Sequence, residues 1–485
     1  MSSNTYNNQF LFYKKSIQKL GILLNNYHKI NYNFYFWEQI LGKYVQTSIS
    51  IFFSEIYKKR KINKKKIVKI KIFPYYSNFN KEVLLKKFRE SYANSILALK
   101  YSFKEQEFKE KKQVLYKLKI LVKEKINKFN KKKICLYGCN INKSKKNIFY
   151  EKVIKNEKID LNFRKKNINN FNTKSKSIFN LCFKNILLYL PKSYLENFNN
   201  IFNEYIKHQD AKRIISTHSH LVSDKYNIYC SIQKMRGCKF EIIQHGGGYG
   251  VYKYDFPHYF EYRIADVFYG WGKKKPNNNI KKFISLGNIK KLEIKKKDKK
   301  SESILFIYKD MFLEKYEFTD DNIKEYNLKI ENFKKLYKGL YKKYNIYSRV
   351  YGKINEKNYS YNNILNKKLK KYSTIISSDE KIETLIHKYK YVIIEYPGTL
   401  FFELIQYKLP IILFINKTYK KNLTKNFLKI FNDMKKKGIA FDNANELKKK
   451  ILDNDYSTFL VNSNLSKFLE NFSTRNFYDL KKLRI

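Results

Sequence analysis

From residue 133 to the end of the chain, short apolar runs alternate with longer amphipathic runs, and this alternation is what most restricts the fold. Short apolar runs bounded by turn residues are typical of strands buried in a parallel sheet, and the longer runs are typical of crossover helices. The predicted strands are Ile134 to Gly138, Arg213 to Thr217, Phe240 to Gln244, Asp266 to Tyr269, Phe283 to Leu286, Ile304 to Tyr308, Ile346 to Val350, Thr374 to Ile376, Tyr391 to Glu395, Ile411 to Phe414 and Ile439 to Phe441. The pattern predicts an α/β protein with parallel sheets.

A Lys-rich stretch without apolar periodicity, residues 290–303, divides this region and predicts an interdomain linker. We expect a first Rossmann-like domain over 131–289 and a second over 304–485, facing each other across a cleft at the carboxyl ends of their strands. Residues 1–130 read as a mostly helical N-terminal part of the first domain, with long periodic stretches at 81–126. Phe36-Trp37 with Ile40 and Leu41 predicts a helix face that packs on the core.

The formal net charge of +59 comes from 101 basic residues, of which only nine are Arg. Phosphate and base recognition favours Arg, so the charge alone does not indicate a nucleic-acid binder. Abundant Lys, Asn, Ile, Tyr and Phe have codons rich in A and T, which accounts for the composition without a function. The field would still attract nucleotide phosphates and anionic lipid. The chain has five Cys and no C-x-x-C pair, so a disulfide framework is not expected. We find no signal peptide and no apolar run of about 20 residues, and together these features favour a cytoplasmic protein.

The sequence Gln244-His245-Gly246-Gly247-Gly248-Tyr249-Gly250 follows a predicted strand directly. Eight of the fifteen Gly lie between Gly237 and Gly287, so their placement is not a product of composition. Glycine backbone can turn sharply, and its N–H groups can bind phosphate or carboxylate, so we predict that this loop shapes a ligand site. A mobile surface turn is the alternative. Imidazole titrates near neutral pH, so His245 could act as a general base or donate to a leaving phosphate; it could also only orient the loop.

Further polar residues follow neighbouring predicted strands. His218 and His220 come after the strand at 213–217, and we predict that they contact an acceptor or a phosphate; a metal role lacks further ligands at a suitable spacing. Arg263 is one of the few Arg and could bind an acidic group or pair with Glu261. Trp271 could stack on a base or sugar, or fill a gap.

In the second predicted domain, a strand ends at Glu395 and a helix begins at Thr399 after a Pro397-Gly398 turn. The start of a helix presents N–H groups and a positive dipole end, which suits a phosphate. Glu403 lies one turn into this helix and could accept hydrogen bonds from a ribose or belong to a cap. We therefore predict that Pro397, Gly398, Thr399 and Glu403 bind a nucleotide donor.

These motifs together resemble a bacterial family of surface-polysaccharide transferases. The resemblance lies in residues 244–250, in the downstream Glu261, Ala265-Asp266 and Trp271-Gly272 segment, and in Phe36-Trp37 with Leu41-Gly42. His245-Gly246 and the 397–403 turn also look like the paired sites of capsule sugar transferases and glycerophosphotransferases, which resemble the GT-B fold. The family segment that usually ends Trp-Gly-Trp ends here at Lys273. Family members carry extra sequence before this chain's start, so we expect a shortened N-terminus.

The resemblance implies a metal-independent glycosyltransferase that uses a nucleotide-sugar as co-substrate and no further cofactor. Its partners would be the nucleotide-activated sugar, a polysaccharide or lipid-linked acceptor and, at the inner face of the membrane, anionic lipid. Two alternatives stay open. One is a glycerophosphate or other phosphoryl-group transferase on the same fold, and the other is a non-catalytic nucleic-acid-binding protein, which the charge and the 17% aromatic content favour.

Overall fold

The computed structural model describes residues 3–57, 134–137, 160–170, 178–253, 255–287, 301–309, 323–351, 369–376, 380, 382–405 and 411–453. The helical stretches predicted at 81–126 and residues 290–300 of the predicted linker lie outside these residues, whereas residues 301–303, also assigned to the linker, belong to a strand. Among the described helices, none combines the length and the apolar character that crossing a bilayer requires.

Two long helices begin the chain, α1 (Ser3–His28) and α2 (Phe34–Tyr57). The two helices pack closely at Gly21, where a Cβ atom would lie only 2.8 Å from the Trp37 ring. Trp37 is buried, and its indole N–H donates to Asn25 Oδ1 at 2.9 Å. The predicted core face with Ile40 and Leu41 is confirmed, since both side chains have no exposed surface.

The first sheet is built from five short strands in the order β1-β2-β3-β4-β5. Its strands are β1 (Ile134–Tyr137), β2 (Arg213–Ser216), β3 (Lys239–Ile243), β4 (Val267–Gly270) and β5 (Phe283–Ser285). β1, β2 and β3 pair in parallel, as the apolar runs predict. The helices of this part are α3 (Leu161–Asn170), α4 (Ile178–Leu188), α5 (Phe198–Tyr205), α6 (Ser219–Val222), α7 (Asp224–Met235) and α8 (Phe256–Ile264), with a 3₁₀ turn at Lys192–Tyr194.

The second sheet has six parallel strands in the order β11-β10-β9-β6-β7-β8. Its strands are β6 (Ser301–Lys309), β7 (Asn345–Tyr351), β8 (Thr374–Ile376), β9 (Tyr389–Ile394), β10 (Ile411–Phe414) and β11 (Ala440–Phe441). Its helices are α9 (Ile323–Leu340), α10 (Ile382–Leu385), α11 (Thr399–Ile405), α12 (Lys417–Lys420), α13 (Lys425–Lys436) and α14 (Ala444–Leu452), with a 3₁₀ turn at Ile386–Lys388. Apolar clusters cover both faces of the sheet.

This order is that of a Rossmann sheet, in which the first and fourth strands in sequence lie side by side. The strand order reverses between β6 and β9, and open α/β sheets bind ligands at the carboxyl ends of the two strands that flank such a point. Residues 395–399 follow β9 and therefore lie at this position. The α/β fold class predicted from the sequence is confirmed.

The chain folds into two compact units, each assembled from several segments. Unit 1 comprises Met1–Ile243, Phe256–Phe268 and Asn279–Lys282, and unit 2 comprises Gln244–Asp255, Tyr269–Asn278 and Phe283–Ile485. The sequence predicts two continuous domains and counts residues 244–250 with the first, whereas these residues pack with the second unit. The reason is a set of hydrogen bonds described below. The predicted boundary within 290–303 stays a prediction.

Candidate functional site

The glycine loop, residues 244–250, is fixed at its start by Gln244. This buried side chain donates from Nε2 to the Gly246 carbonyl at 2.7 Å and accepts at Oε1 from the Trp271 backbone N–H at 3.0 Å. The Trp271 indole N–H in turn donates to the Gln244 carbonyl at 3.0 Å. Both Gln244 and Trp271 belong to unit 2, so the two predicted site residues brace each other. Trp271 has only 2% of its surface exposed, and its predicted stacking on a ligand stays a prediction.

The middle of the glycine loop contacts the Pro-Gly turn that precedes α11. The Gly247 N–H donates to Thr399 Oγ1 at 2.8 Å. A Cβ atom on Gly247 would lie 2.6 Å from the Thr399 backbone nitrogen, so only glycine allows the two backbones to come this close. The sequence predicts that the two motifs face each other from separate domains, but both lie in unit 2 and touch directly.

The end of the glycine loop is bound to the start of α13. Thr424 caps this helix, because its Oγ1 accepts from the Phe427 N–H at 3.3 Å, and the same hydroxyl donates to the Gly250 carbonyl at 3.0 Å. The Thr424 N–H also donates to the Val251 carbonyl at 2.8 Å. The glycine loop is thereby joined to two helix N-termini of unit 2, and each junction uses a threonine hydroxyl.

His245 is exposed, whereas every other residue of the loop is buried or half-buried. Its Nδ1 lies 2.8 Å from the hydroxyl of Tyr249, whose ring is 4% exposed. The buried tyrosine holds the imidazole in a fixed orientation at the surface. Of the predicted site residues, His245 is thus one that a ligand from solvent can reach.

The predicted donor residues lie together after β9. Pro397 and Gly398 are buried, and Thr399 is half-buried. Glu403 has 7% of its surface exposed, so its predicted contact with a ribose stays a prediction. A Cβ atom on Gly398 would lie 2.2 Å from the Tyr396 ring, so the turn requires glycine here as well.

An ion pair beside this turn was not found from the sequence. Lys329 on α9 places Nζ 2.6 Å from Glu395 Oε2, and its side chain is 7% exposed. Its ammonium group also lies 5.7 Å from the centre of the Tyr308 ring and 5.9 Å from that of Phe333. The sequence does not single out Lys329, because a lysine on an amphipathic helix is expected on the solvent face and its pairing with Glu395 leaves no pattern in the sequence.

The remaining predicted residues belong to unit 1. His218 is exposed, whereas His220 has no exposed surface. His220 lies between Ser216 Oγ, 2.9 Å from Nδ1, and Glu261 Oε1, 2.8 Å from Nε2. This chain of buried groups joins β2 to α8 and indicates a packing role, although the predicted ligand contacts of both histidines stay predictions.

Arg263 forms its ion pair with Glu38 on α2, at 2.9 Å, and not with Glu261 as one interpretation of the sequence suggests. Burial opposes the charge of Arg263, but the hydrogen bond and the charge of Glu38 outweigh it and raise the pKa of the guanidinium group. The pair joins α2 to α8. The alternative role of Arg263, binding an acidic ligand, stays a prediction.

A cavity of about 240 Å³ adjoins the glycine loop within unit 2. It is lined by Gln244, Tyr249, Gly250, Gly272, Lys274, Lys275, Pro276, Thr424, Asn426, Lys429 and Ile430. None of the residues 397–403 lines it. The described part of the chain holds no group of three or more His, Cys, Asp or Glu that could bind a metal ion.

Comparison with known proteins decides the class. The sequence model of the LIC12162 family transferases matches residues 66–454. The chain belongs to this transferase family. It is therefore an enzyme of the transferase class, which rules against the prediction of a non-catalytic nucleic-acid binder. None of the curated proteins compared with the transferase matches it significantly.

Several solved structures are similar to the transferase at low identity. One is TarM, with a TM-score of 0.38, 14% identity, and coverage of 59% of this chain and 57% of TarM. Another is Acinetobacter baumannii MurG, with a TM-score of 0.33, 10% identity and coverage of 57% and 75%. A third is a variant of the wall teichoic acid polymerase TagF, with a TM-score of 0.34, 11% identity and coverage of 75% and 93%. The transferase thus aligns with less than two thirds of TarM.

Proposed function

We propose that this transferase is a glycosyltransferase that moves a sugar from a nucleotide-activated donor to a cell-surface polysaccharide or its lipid-linked precursor. The observation that carries the proposal is the hydrogen bond between Gly247 and Thr399. It joins the glycine loop, with its exposed His245, to the turn at the switch point of a Rossmann-order sheet. Membership of a transferase family and the motif resemblance described above support it.

In the proposed reaction, the donor nucleotide binds at residues 397–399, and its phosphates accept hydrogen bonds from the start of α11. His245 removes the proton from the acceptor hydroxyl while its oxygen bonds to the sugar's anomeric carbon. The bond from that carbon to the donor phosphate breaks, and the leaving nucleotide takes the electron pair. The positive ends of the helix dipoles favour the charge that develops on the phosphate.

The two roles that the sequence leaves open for His245 correspond to opposite directions of its hydrogen bond with Tyr249. If Nδ1 carries the proton and donates to the Tyr249 oxygen, Nε2 has a lone pair and can act as a base. If the Tyr249 hydroxyl donates to Nδ1, Nε2 carries the proton of the neutral ring and can donate to a leaving phosphate. The dependence of kcat/KM on pH separates them, because a base requires the neutral ring and therefore loses activity at low pH.

The experiment measures transfer with UDP-, GDP-, CMP- and CDP-linked donors for the unmodified transferase and for His245→Ala. We expect turnover to fall by about 10²–10⁴-fold, the usual contribution of a positioned acid or base, while thermal unfolding and donor binding stay unchanged. Undiminished turnover in His245→Ala would remove the proposed role. Tyr249→Phe, which removes the hydroxyl that orients the imidazole, should lower turnover while retaining part of the activity.

The leaving group separates sugar transfer from the glycerophosphate alternative. Transfer of a sugar from a nucleoside diphosphate sugar breaks the bond between sugar and phosphate and releases a nucleoside diphosphate. Transfer of glycerophosphate from a CDP-linked donor breaks the anhydride and releases CMP. Chromatography of the released nucleotide therefore identifies the reaction, and release of the monophosphate from a diphosphate donor would replace the proposal with phosphoryl-group transfer.

Two further parts of the proposal concern conditions of the reaction. We propose that transfer needs no metal ion, and activity that survives EDTA would agree with this.

We also propose that the Lys-rich surface brings the transferase to anionic membrane, where lipid-linked acceptors reside. Sedimentation with vesicles tests this at about 0.15 M salt, where binding should require an anionic lipid and should weaken as salt is added.

A further inference from the structure

The cavity beside the glycine loop has a wall made almost entirely of neutral and basic groups. Lys274, Lys275 and Lys429 line it, and no lining residue in the described part of unit 2 is acidic. The three lysines are exposed residues, so the cavity opens to solvent on the side they occupy. Three ammonium groups around one concave surface raise the local concentration of anions.

The same cavity lies at the start of α13, a helix of twelve residues. Thr424 caps it, and Asn426, Lys429 and Ile430 line the cavity from its first two turns. The start of a helix presents backbone N–H groups and a positive dipole end, which adds to the field of the lysines. Lysines and helix start thus favour an anion at one place, by two independent effects.

Three of the lining side chains hold the glycine loop in place, because Gln244, Tyr249 and Thr424 form hydrogen bonds with it or within it. The other polar side chains that line the cavity are those of the three lysines and of Asn426. Lysine acts as a flexible point charge and binds phosphate without the fixed fork of arginine.

The size of the cavity restricts the ligand. Its volume of about 240 Å³ lies below the range of roughly 300–1,000 Å³ typical of pockets that enclose a drug-sized molecule. It can hold a phosphate group with part of a sugar, but not a complete nucleotide-sugar. None of the residues 397–403 predicted to bind the donor lines it, so its lysines would bind a substrate in addition to those residues.

We propose that this lysine cavity binds a phosphate group of a substrate. The group could be supplied by the diphosphate of the donor or by a phosphate of the acceptor; both present the same chemistry. The proposal rests on the proposed function for calling the ligand a substrate, but it does not depend on His245, because it is a statement about binding and can be tested without turnover.

The test titrates the full-length protein with sodium pyrophosphate by calorimetry at about 0.1 M salt, where exposed charges more than ~10 Å apart are largely screened. The variants are Lys274→Ala with Lys275→Ala, and Lys429→Ala. The matched control is Lys425→Ala, which removes a lysine from the same helix outside the cavity. We expect the loss of each cavity lysine to weaken pyrophosphate binding about fivefold, which corresponds to about 1 kcal/mol per lysine removed. Lys425→Ala should leave the affinity unchanged. Lys429→Arg should retain most of the affinity.

Two results would overturn the proposal. One is pyrophosphate binding that the cavity variants leave unchanged. The other is equal weakening by Lys425→Ala, which would mean that the overall charge and not the cavity attracts the anion. Mass spectrometry after lysine modification gives a second measurement: pyrophosphate should protect the cavity lysines and not Lys425, and no difference in protection would count against the site.

Two further titrations identify the source of the phosphate. Binding of UDP, GDP or CDP that the cavity variants weaken would assign the site to the donor diphosphate. If the variants instead weaken binding of farnesyl pyrophosphate and leave the nucleotides unaffected, the phosphate belongs to a lipid-linked acceptor. Loss of turnover in His245→Ala with intact pyrophosphate binding would leave this site standing, so failure of the reaction and failure of the site are distinguishable.

Discussion

The Gly247→Ala substitution tests the contact on which the proposed function depends. The added Cβ would lie 2.6 Å from the Thr399 nitrogen, 2.7 Å from the Gly398 carbonyl carbon and 2.8 Å from the Thr399 Cα. All three are backbone atoms, so the loop must move away. The move costs about 1–3 kcal/mol for overpacking and about 1 kcal/mol for the hydrogen bond to Thr399 Oγ1. We therefore expect unfolding in urea to show a loss of about 2–4 kcal/mol, together with reduced sugar transfer.

Two controls separate this steric cost from other effects of replacing glycine. Gly237→Ala introduces no contact within 4 Å but has a φ of +84°, so it measures backbone strain alone, about 1 kcal/mol. Gly246→Ala would place its Cβ 2.9 Å from Thr399 Oγ1, a side-chain atom, so adding Thr399→Ala should relieve it. The same second substitution should not relieve Gly247→Ala. Equal rescue of both glycine variants by Thr399→Ala would refute the backbone contact.

Three further predictions concern buried or half-buried polar groups within one unit or the other. Burial lowers the pKa of His28 from 6.5 to about 4, so the unfolded chain binds the proton first as pH falls. The free energy of unfolding should therefore decrease between pH 6.5 and 4 by up to about 3 kcal/mol, and urea unfolding of His28→Asn should show a smaller decrease. Glu261→Ala should cost about 1–3 kcal/mol because it leaves buried His220 without this partner, whereas Glu261→Gln should cost less; equal losses in thermal unfolding would contradict this. Lys329→Met should destabilise by about 1–3 kcal/mol because it leaves the half-buried Glu395 carboxylate without this lysine, and adding Glu395→Gln should recover part of the loss; an additive double variant would contradict the pairing.

The strands were predictable because each one is an apolar run with breakers at both ends. The strands predicted at 374–376 and 411–414 are observed with those bounds, since tertiary contacts and local pattern agree there. Helix α8 was not predicted. Its sequence is rich in aromatic residues and carries Pro257 near its start, so it has no clear helical period. Tertiary packing stabilises α8 instead, because Phe10 and Tyr13 of α1 pack edge to face on Phe256 and Tyr259.

The segment before β9 shows a second limit of apolar periodicity. The structure has a short α-helix at Ile382–Leu385, which tightens into a 3₁₀ turn at Ile386–Lys388 before β9 begins. Apolar spacing predicts which side is buried, but it does not distinguish an α-helical turn from a 3₁₀ turn, because both bury residues about three apart.

For the site, the sequence located the two glycine motifs and predicted that they face each other, but it did not predict that they belong to one unit and touch. Gly247 and Thr399 are separated by 152 residues, and a single sequence does not reveal a direct contact over that distance. The lysine cavity could not be found for a different reason. Lysine is so frequent in this chain that Lys274 and Lys429 have no contrast with their surroundings. Their significance comes from the absence of acidic residues among the described residues of the same wall, which only the fold reveals.

The two threonine junctions explain why the loop is made of glycine. A mobile surface turn would need glycine for freedom, but this loop is fixed to α11 through Thr399 and to α13 through Thr424. At Gly247 the requirement is close approach of two backbones, and at Gly250, with a φ of +72°, it is a left-handed conformation beside Pro276. The loop that carries His245 is thereby fixed to two helix starts through threonine hydroxyls, and the proposed catalytic imidazole would need little reorganisation during the reaction. It follows that conservative changes at either threonine should impair transfer more than they impair folding, because a small displacement of the loop moves the imidazole while the apolar core stays intact.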